Sequence, residues 1–165
     1  MPLRIFRRKN KKKQSGLDIG QEEQVKKEME VISVTIDDVR RAINDYATSL
    51  EKGISLRSLV LDNNKLDYEL LYRFLGGVPD KDFYMSKETF EIFEDETLPK
   101  YIDMCQLAVD QYLKATGEWP VIQGNPYHKI SYFKLSDYLK ERPPIDLYLH
   151  PMDQMVTHRI PKDNT

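Results

Sequence analysis

Residues 145–160 read IDLYLHPMDQMVTHRI, and this stretch decides the fold class. Ile145, Leu147 and Leu149 alternate with Asp146, Tyr148 and His150, the two-residue period of a strand with one face inward. Pro151-Met152-Asp153-Gln154 supplies a turn, and alternation resumes from Met155 to Ile160. The spacing predicts a C-terminal β-hairpin, so the chain is not all helical.

Upstream, the period changes to that of helices. Thr97-Leu98-Pro99 opens the longest one, with Pro99 near the start, where a missing N–H costs least. Tyr101, Ile102, Cys105, Ala108, Val109, Tyr112 and Leu113 form its apolar stripe, and Gly117 ends it. Leu66, Leu70, Leu71, Phe74 and Leu75 mark a second helix, ended by Gly76-Gly77. A third follows Thr35, with Asp37 and Asp38 in its first turn and Ile36, Val39, Ile43, Tyr46, Ala47 and Leu50 on one face before Gly53. β-rich stretches at Met29–Val34 and Ile54–Leu61 flank it and imply a β-α-β opening. Phe83–Glu94 fits either a strand or a short helix capped by Ser86, and the helix is preferred. Val121-Ile122 and Ile130–Phe133 read as short strands, and Leu135–Lys140 as a short helix stopped by Pro143-Pro144. The expectation is an α+β fold in which three or four helices pack on a small, partly antiparallel sheet with a C-terminal hairpin.

The chain has 165 residues, 40% of them apolar and 32% charged, which suits a single domain with its own core. One cysteine excludes a disulfide scaffold. Apolar runs such as Leu59-Val60-Leu61 are far shorter than the roughly 20 residues of a spanning helix or the roughly 7 to 15 of a signal peptide. A cytoplasmic setting is expected, including the inner face of the membrane.

A net charge of −2 conceals an asymmetry. Arg4, Arg7, Arg8, Lys9, Lys11, Lys12 and Lys13 place seven cations and no acid in the first 13 residues, interleaved with Leu3, Ile5 and Phe6. The rest of the chain holds 18 basic and 27 acidic groups. Residues 1–24 therefore read as a basic, unstructured arm and linker, and residues 25–165 as one α+β domain. Cations mixed with apolar side chains suit an anionic membrane surface, at about 1 kcal/mol per Lys or Arg. Nucleic acid ranks lower as a partner because the body is acidic.

Several strings carry a resemblance. Thr116–Ile122 (TGEWPVI), Lys129-Ile130-Ser131, Tyr148–Pro151 (YLHP) and Met155–Arg159 (MVTHR) resemble an uncharacterised family of short Gram-positive bacterial proteins, a domain of unknown function, over residues 30–161. The resemblance implies a one-domain bacterial cytoplasmic protein and brings no activity, cofactor or catalytic residue with it.

Candidate chemistry is sparse. His128, His150 and His158 lack the H-x-x-x-H or C-x-x-C spacing that sets two metal ligands side by side, and no metal or cofactor is expected. If the hairpin loop is even, His150 faces Met155 and His158 faces Leu147, so the two imidazoles point to opposite faces. Cys105 sits mid-helix on the apolar stripe and reads as a core residue rather than a nucleophile. Glu88, Glu91, Glu94, Asp95 and Glu96 form an acidic run that reads as a solvated face. Gly76-Gly77 follows a helix rather than a strand, which suits a cap and not a phosphate loop. Trp119 stands before a proline and is expected to line a ligand groove with Tyr127, Tyr132, His150 and His158. These features favour a non-enzymatic binding or adaptor domain whose protein partner is unspecified, tethered by its arm. The alternatives are a nucleic-acid-associated protein using that arm, and a small enzyme with a site built from the hairpin histidines and the acidic segment.

Overall fold

The computed structural model describes residues 29–162. Strand β1 (Val31–Ile32) leads into α1 (Ile36–Ser49), whose start is a capping box: Thr35 accepts from the Asp38 N–H, and the Asp38 carboxylate accepts from the Thr35 N–H at 2.8 Å. A 3₁₀ turn (Leu56–Leu59) and α2 (Tyr68–Leu75) follow, then β2 (Val78–Pro79), which pairs in parallel with β1. The crossover between these parallel strands thus contains both helices. β3 (Tyr84–Met85) and β4 (Ile92–Phe93) form an antiparallel pair, α3 spans Thr97–Thr116, and β5 (Tyr148–Leu149) and β6 (Val156–Thr157) form the C-terminal hairpin. The architecture is mixed α+β, with three helices among the described residues. Its sheet is broken into three two-stranded pairs among these residues, and single bridges attach loop residues to them, Lys65 at Tyr84 and Lys129 at Tyr148.

The apolar interior divides in two. One cluster gathers Val39, Ile43, Leu59, Leu66, Leu71, Phe83 and Met85 under α1 and α2. A second gathers Ile102, Cys105, Val109, Ile130, Leu135, Leu147 and Val156 around α3. Adjacent residues on a strand point to opposite faces, and β4 uses this to join the clusters: Ile92 enters the first and Phe93 the second. A polar clamp lies beside this seam. Asp103 on α3 accepts from Asn64 Nδ2 (2.6 Å), Ser86 Oγ (2.5 Å) and the backbone N–H groups of Lys87 (3.0 Å) and Glu88 (3.2 Å).

Four local expectations are corrected. Ile54–Leu61 is not a strand up to its last residues, because Ser55 accepts from the Arg57 N–H and winds the chain into the 3₁₀ turn; Val60 then bridges Leu66. The α2 helix begins two residues after Leu66, capped by Asp67, because Leu66 is used in that bridge. Phe83–Glu94 is the β3–β4 hairpin and not a helix. The Ser86 hydroxyl accepts from the Glu88 and Thr89 N–H groups, its carbonyl accepts from Phe90, and Phe90 adopts a left-handed backbone (φ 59°) that a helix forbids. Leu135–Lys140 is a succession of turns rather than a helix, with Leu135 pinned in the second core by complete burial. The neighbouring stretch, expected as a strand, contributes Ile130 to a bridge but leaves Phe133 on the surface at 90% exposure.

Gly77 has a specific duty between α2 and β2. A Cβ there would lie 2.6 Å from the Glu30 carbonyl oxygen and 2.8 Å from an Ile32 methyl, so the parallel pair closes only without a side chain.

Candidate functional site

The site is built where α3 ends. Gly117 takes the left-handed conformation (φ 72°) at the helix C-cap and turns the chain into Trp119-Pro120. Val121 then bridges Ile130, closing a loop whose turn is organised by Asn125: its side-chain oxygen accepts from the Tyr127 (2.9 Å) and Lys129 (3.3 Å) N–H groups. This loop presents His128 with a left-handed backbone (φ 54°), and the His128 carbonyl accepts from the Leu149 N–H of β5 at 3.0 Å. The β5–β6 register pairs Leu149 with Val156 and Tyr148 with Thr157. It follows that Pro151–Gln154 is an even, four-residue loop: the His150 N–H donates to the Met155 carbonyl at 2.9 Å, and His158 stands opposite Leu147. The two imidazoles therefore face opposite ways.

Trp119, Val121, Leu149 and Pro151 form the apolar walls of a socket of about 200 Å³, and His128, His150 and Gln154 complete it. Two of the four non-glycine residues with positive φ among the described residues, His128 and Gln154, line this one cavity. The Met152 N–H donates to His150 Nδ1 at 3.2 Å, which makes Nδ1 an acceptor and leaves Nε2 to carry the hydrogen of the neutral ring.

Of the five residues expected in one groove, Trp119 and His150 line the socket, and His128 joins them. The other three lie elsewhere. Tyr127 is exposed beyond the socket wall. Tyr132 donates its hydroxyl hydrogen to the Ile145 carbonyl at 2.6 Å, and burial pushes its pKa well above the usual phenol range. His158 is on the opposite hairpin face, with its ring edge-on to Phe93 (5.4 Å between centroids) and its Nδ1 4.0 Å from Glu91 Oε1. That nitrogen is buried without a hydrogen-bond partner. The arm residues Leu3, Arg4, Ile5, Phe6, Arg7, Arg8, Lys9, Lys11, Lys12 and Lys13 lie outside the described residues.

The acidic run is dispersed by pairing. Glu88 meets Arg57 at 2.7 Å, Glu94 meets Lys81 at 2.8 Å, and Glu91 lies 3.6 Å from Arg159. Asp95 accepts from the Thr97 hydroxyl and from the Leu98 and Thr97 N–H groups, which hold its carboxyl below the usual range and cap α3. The carboxylates thus bind different parts of the fold together. Among the described residues, no group of three or more His, Cys, Asp or Glu side chains is placed to hold a metal ion.

Cys105 is fully buried on α3, and desolvation pushes its thiol from an ordinary 9.0 to about 12. A folded-state pKa above the unfolded one means that the unfolded chain loses its proton first. The stability contributed by the neutral thiol is therefore present below pH 9 and falls as pH rises toward 12. Cys105→Ala is expected to unfold more easily at neutral pH, by about 1 kcal/mol for the lost packing. It should also lose stability less steeply than the parent above pH 9. Urea unfolding of both proteins across that range checks the sign, and parallel pH profiles would contradict it.

With the geometry in place, relatives can be considered. A protein-family model described as "Protein of unknown function (DUF3939)" matches residues 29–158. The chain belongs to the DUF3939 family. That span takes in α1 to α3, both hairpins and every residue of the socket. No curated protein and no solved structure matches this DUF3939 chain. Among its described residues, no helix is long and apolar enough to cross a membrane.

The socket was partly legible in the sequence. Trp119 before a proline and His150 beside a turn were visible signals, whereas His128 was not among the residues expected in the groove. What places them together is the pairing of Lys129 with Tyr148 across 19 residues of chain, and no local pattern reports that pairing.

Proposed function

We propose that this DUF3939 protein is a non-enzymatic binding domain whose socket receives one apolar side chain of a peptide or protein ligand. The observation that carries the reading is the socket itself: an indole and three aliphatic walls around about 200 Å³, with polar groups confined to two imidazoles and an amide. Such a space is below the roughly 300 to 1,000 Å³ of pockets for whole small molecules, and it suits a single anchoring side chain. Leu149 is held in β5 and Val121 by its bridge to Ile130, so these two walls are in place before a ligand enters.

Trp119 is the only tryptophan of the chain, so its fluorescence reports the socket directly. Titration of the full-length protein with N-acetyl-leucinamide is expected to shift the Trp119 emission saturably. Burial of one leucyl side chain contributes about 1.5–3 kcal/mol, which sets a dissociation constant of about millimolar or weaker. N-acetyl-glycinamide, which lacks the side chain, should produce no shift. Equal responses to the two amides would refute the reading.

The basic arm belongs to the same proposal. In a bacterial cytoplasm, residues 1–13 hold the domain reversibly at an anionic surface, with Leu3, Ile5 and Phe6 beside the lipid head groups and seven cations facing the phosphates. The support is compositional: the cations are concentrated in the arm, while the rest of the chain carries more acids than bases. Full-length protein is expected to sediment with anionic vesicles at low salt and to be released at high salt, whereas protein lacking residues 1–13 stays in the supernatant. Equal sedimentation of both would remove the tether, and strong DNA retention at physiological salt would replace the membrane by nucleic acid.

A further inference from the structure

His150 lines two cavities. A second cavity of about 510 Å³, lined also by residues of the hairpin loop, opens between the β3–β4 turn and the C-terminal segment. Its character differs from that of the socket. Thr89 and Glu91 come from the turn, Asp153 from the hairpin loop, Thr157 from β6, and Arg159 and Lys162 from the segment after it.

The charges decide what fits. Arg159 lies 3.6 Å from Glu91, with His158 4.0 Å from the same carboxylate oxygen, so these two opposite charges offset one another. Asp153 spends one oxygen on the Met155 N–H (2.9 Å), with His150 Nδ1 3.6 Å away, and its second oxygen remains. Lys162 has no ion-pair partner among the described residues. Among the described residues, the cavity therefore presents one carboxylate and one ammonium whose charge is not offset by a strong opposite neighbour. The Thr89 and Thr157 hydroxyls accept from the Glu91 (3.4 Å) and Arg159 (3.1 Å) N–H groups, which leaves both O–H hydrogens to donate. A dianion would meet Asp153 and Glu91, and a polycation would meet Lys162 and Arg159. A ligand carrying one charge of each sign satisfies both walls.

From this juxtaposition we infer that the second cavity binds the charged backbone of a short peptide with free termini, its ammonium toward Asp153 and its carboxylate toward Lys162, while one apolar side chain of the same peptide passes over His150 into the socket. The inference rests on the socket reading and specifies its ligand. A volume of about 510 Å³ is within the range of small-ligand sites, and the two cavities share His150 in their linings.

The test compares the dipeptide Leu-Gly with N-acetyl-Leu-Gly-amide on the full-length protein, read by Trp119 emission. The free dipeptide is expected to bind about tenfold more tightly or better, since charge-assisted hydrogen bonds are roughly twice as strong as neutral ones. Asp153→Asn, which keeps the acceptor for the Met155 N–H, and Lys162→Gln should each remove most of that preference and leave the affinity for the blocked dipeptide unchanged. Both residues are on the surface, and unchanged thermal unfolding confirms that the variants fold. Equal affinity for free and blocked dipeptides overturns the inference while leaving the socket reading intact. Absence of any Trp119 response to either overturns both.

Discussion

Asp103→Ala is expected to lower the free energy of unfolding by about 3 kcal/mol or more, a large part of the stability of an ordinary domain. The carboxylate accepts four hydrogen bonds, two on each oxygen: Ser86 Oγ and the Glu88 N–H on one, Asn64 Nδ2 and the Lys87 N–H on the other. Ser86 and Asn64 are both buried, so water cannot readily replace the lost acceptor. Donors from the first core region meet a carboxylate on α3, the principal helix of the second, and removal of that carboxylate loosens the seam as well as the turn. Asp110→Ala is the control on the same helix, where the side chain accepts from the Gln106 amide at 3.0 Å and from no other group among the described residues. Urea unfolding should show a loss for Asp110→Ala of about 1 kcal/mol or less. A loss at Asp103 no greater than that at Asp110 would show that the clamp is not a stabilising feature.

Phe83→Ala is expected to cost about 3–5 kcal/mol, the range for truncating a fully buried aromatic side chain. Phe83 is completely inaccessible in the first core. Its backbone is also engaged, with its N–H donating to the Tyr68 hydroxyl at 2.8 Å and its carbonyl accepting from the Leu66 N–H at 3.1 Å, so the segment has little room to collapse into the void. Phe133→Ala makes the contrast. At 90% exposure that ring has little to lose, and a change within about 0.5 kcal/mol is expected. Thermal or urea unfolding of the two variants checks the difference, and similar losses at both positions would contradict the assignment of the core.

These two phenylalanines also show how far sequence reading extends. Both occupy short apolar segments, and one period could not tell that Phe83 leads into a buried hairpin while Phe133 faces solvent. The preference for a helix over Phe83–Glu94 failed for a definite reason. Ser86 is a competent helix cap, but its hydroxyl and carbonyl close a tight turn with Glu88, Thr89 and Phe90, and the Asp103 carboxylate, 17 residues away, holds that turn. At Leu135–Lys140 the expected short helix gave way to turns, in a segment too short to sustain a helix on its own.

Elements whose signals lie within a few residues were readable in advance. Thr35 as a cap and the 3.6-residue stripe specify α1, Gly117 ends α3, and the alternation around Pro151–Gln154 specifies the C-terminal hairpin, whereas the strand register fixed the even loop that opposes the histidines. Each is a local competition between backbone conformations, settled by side chains within one or two turns of chain. Pairing across distance was not readable: β1 with β2 across both helices, α3 with the Ser86 turn through Asp103, and Lys129 with Tyr148 to assemble the socket. Two-residue strands carry too little pattern to select a partner, so burial in the two cores made the choice, and the site exists only where those long-range contacts brought Trp119, His128 and His150 to one surface.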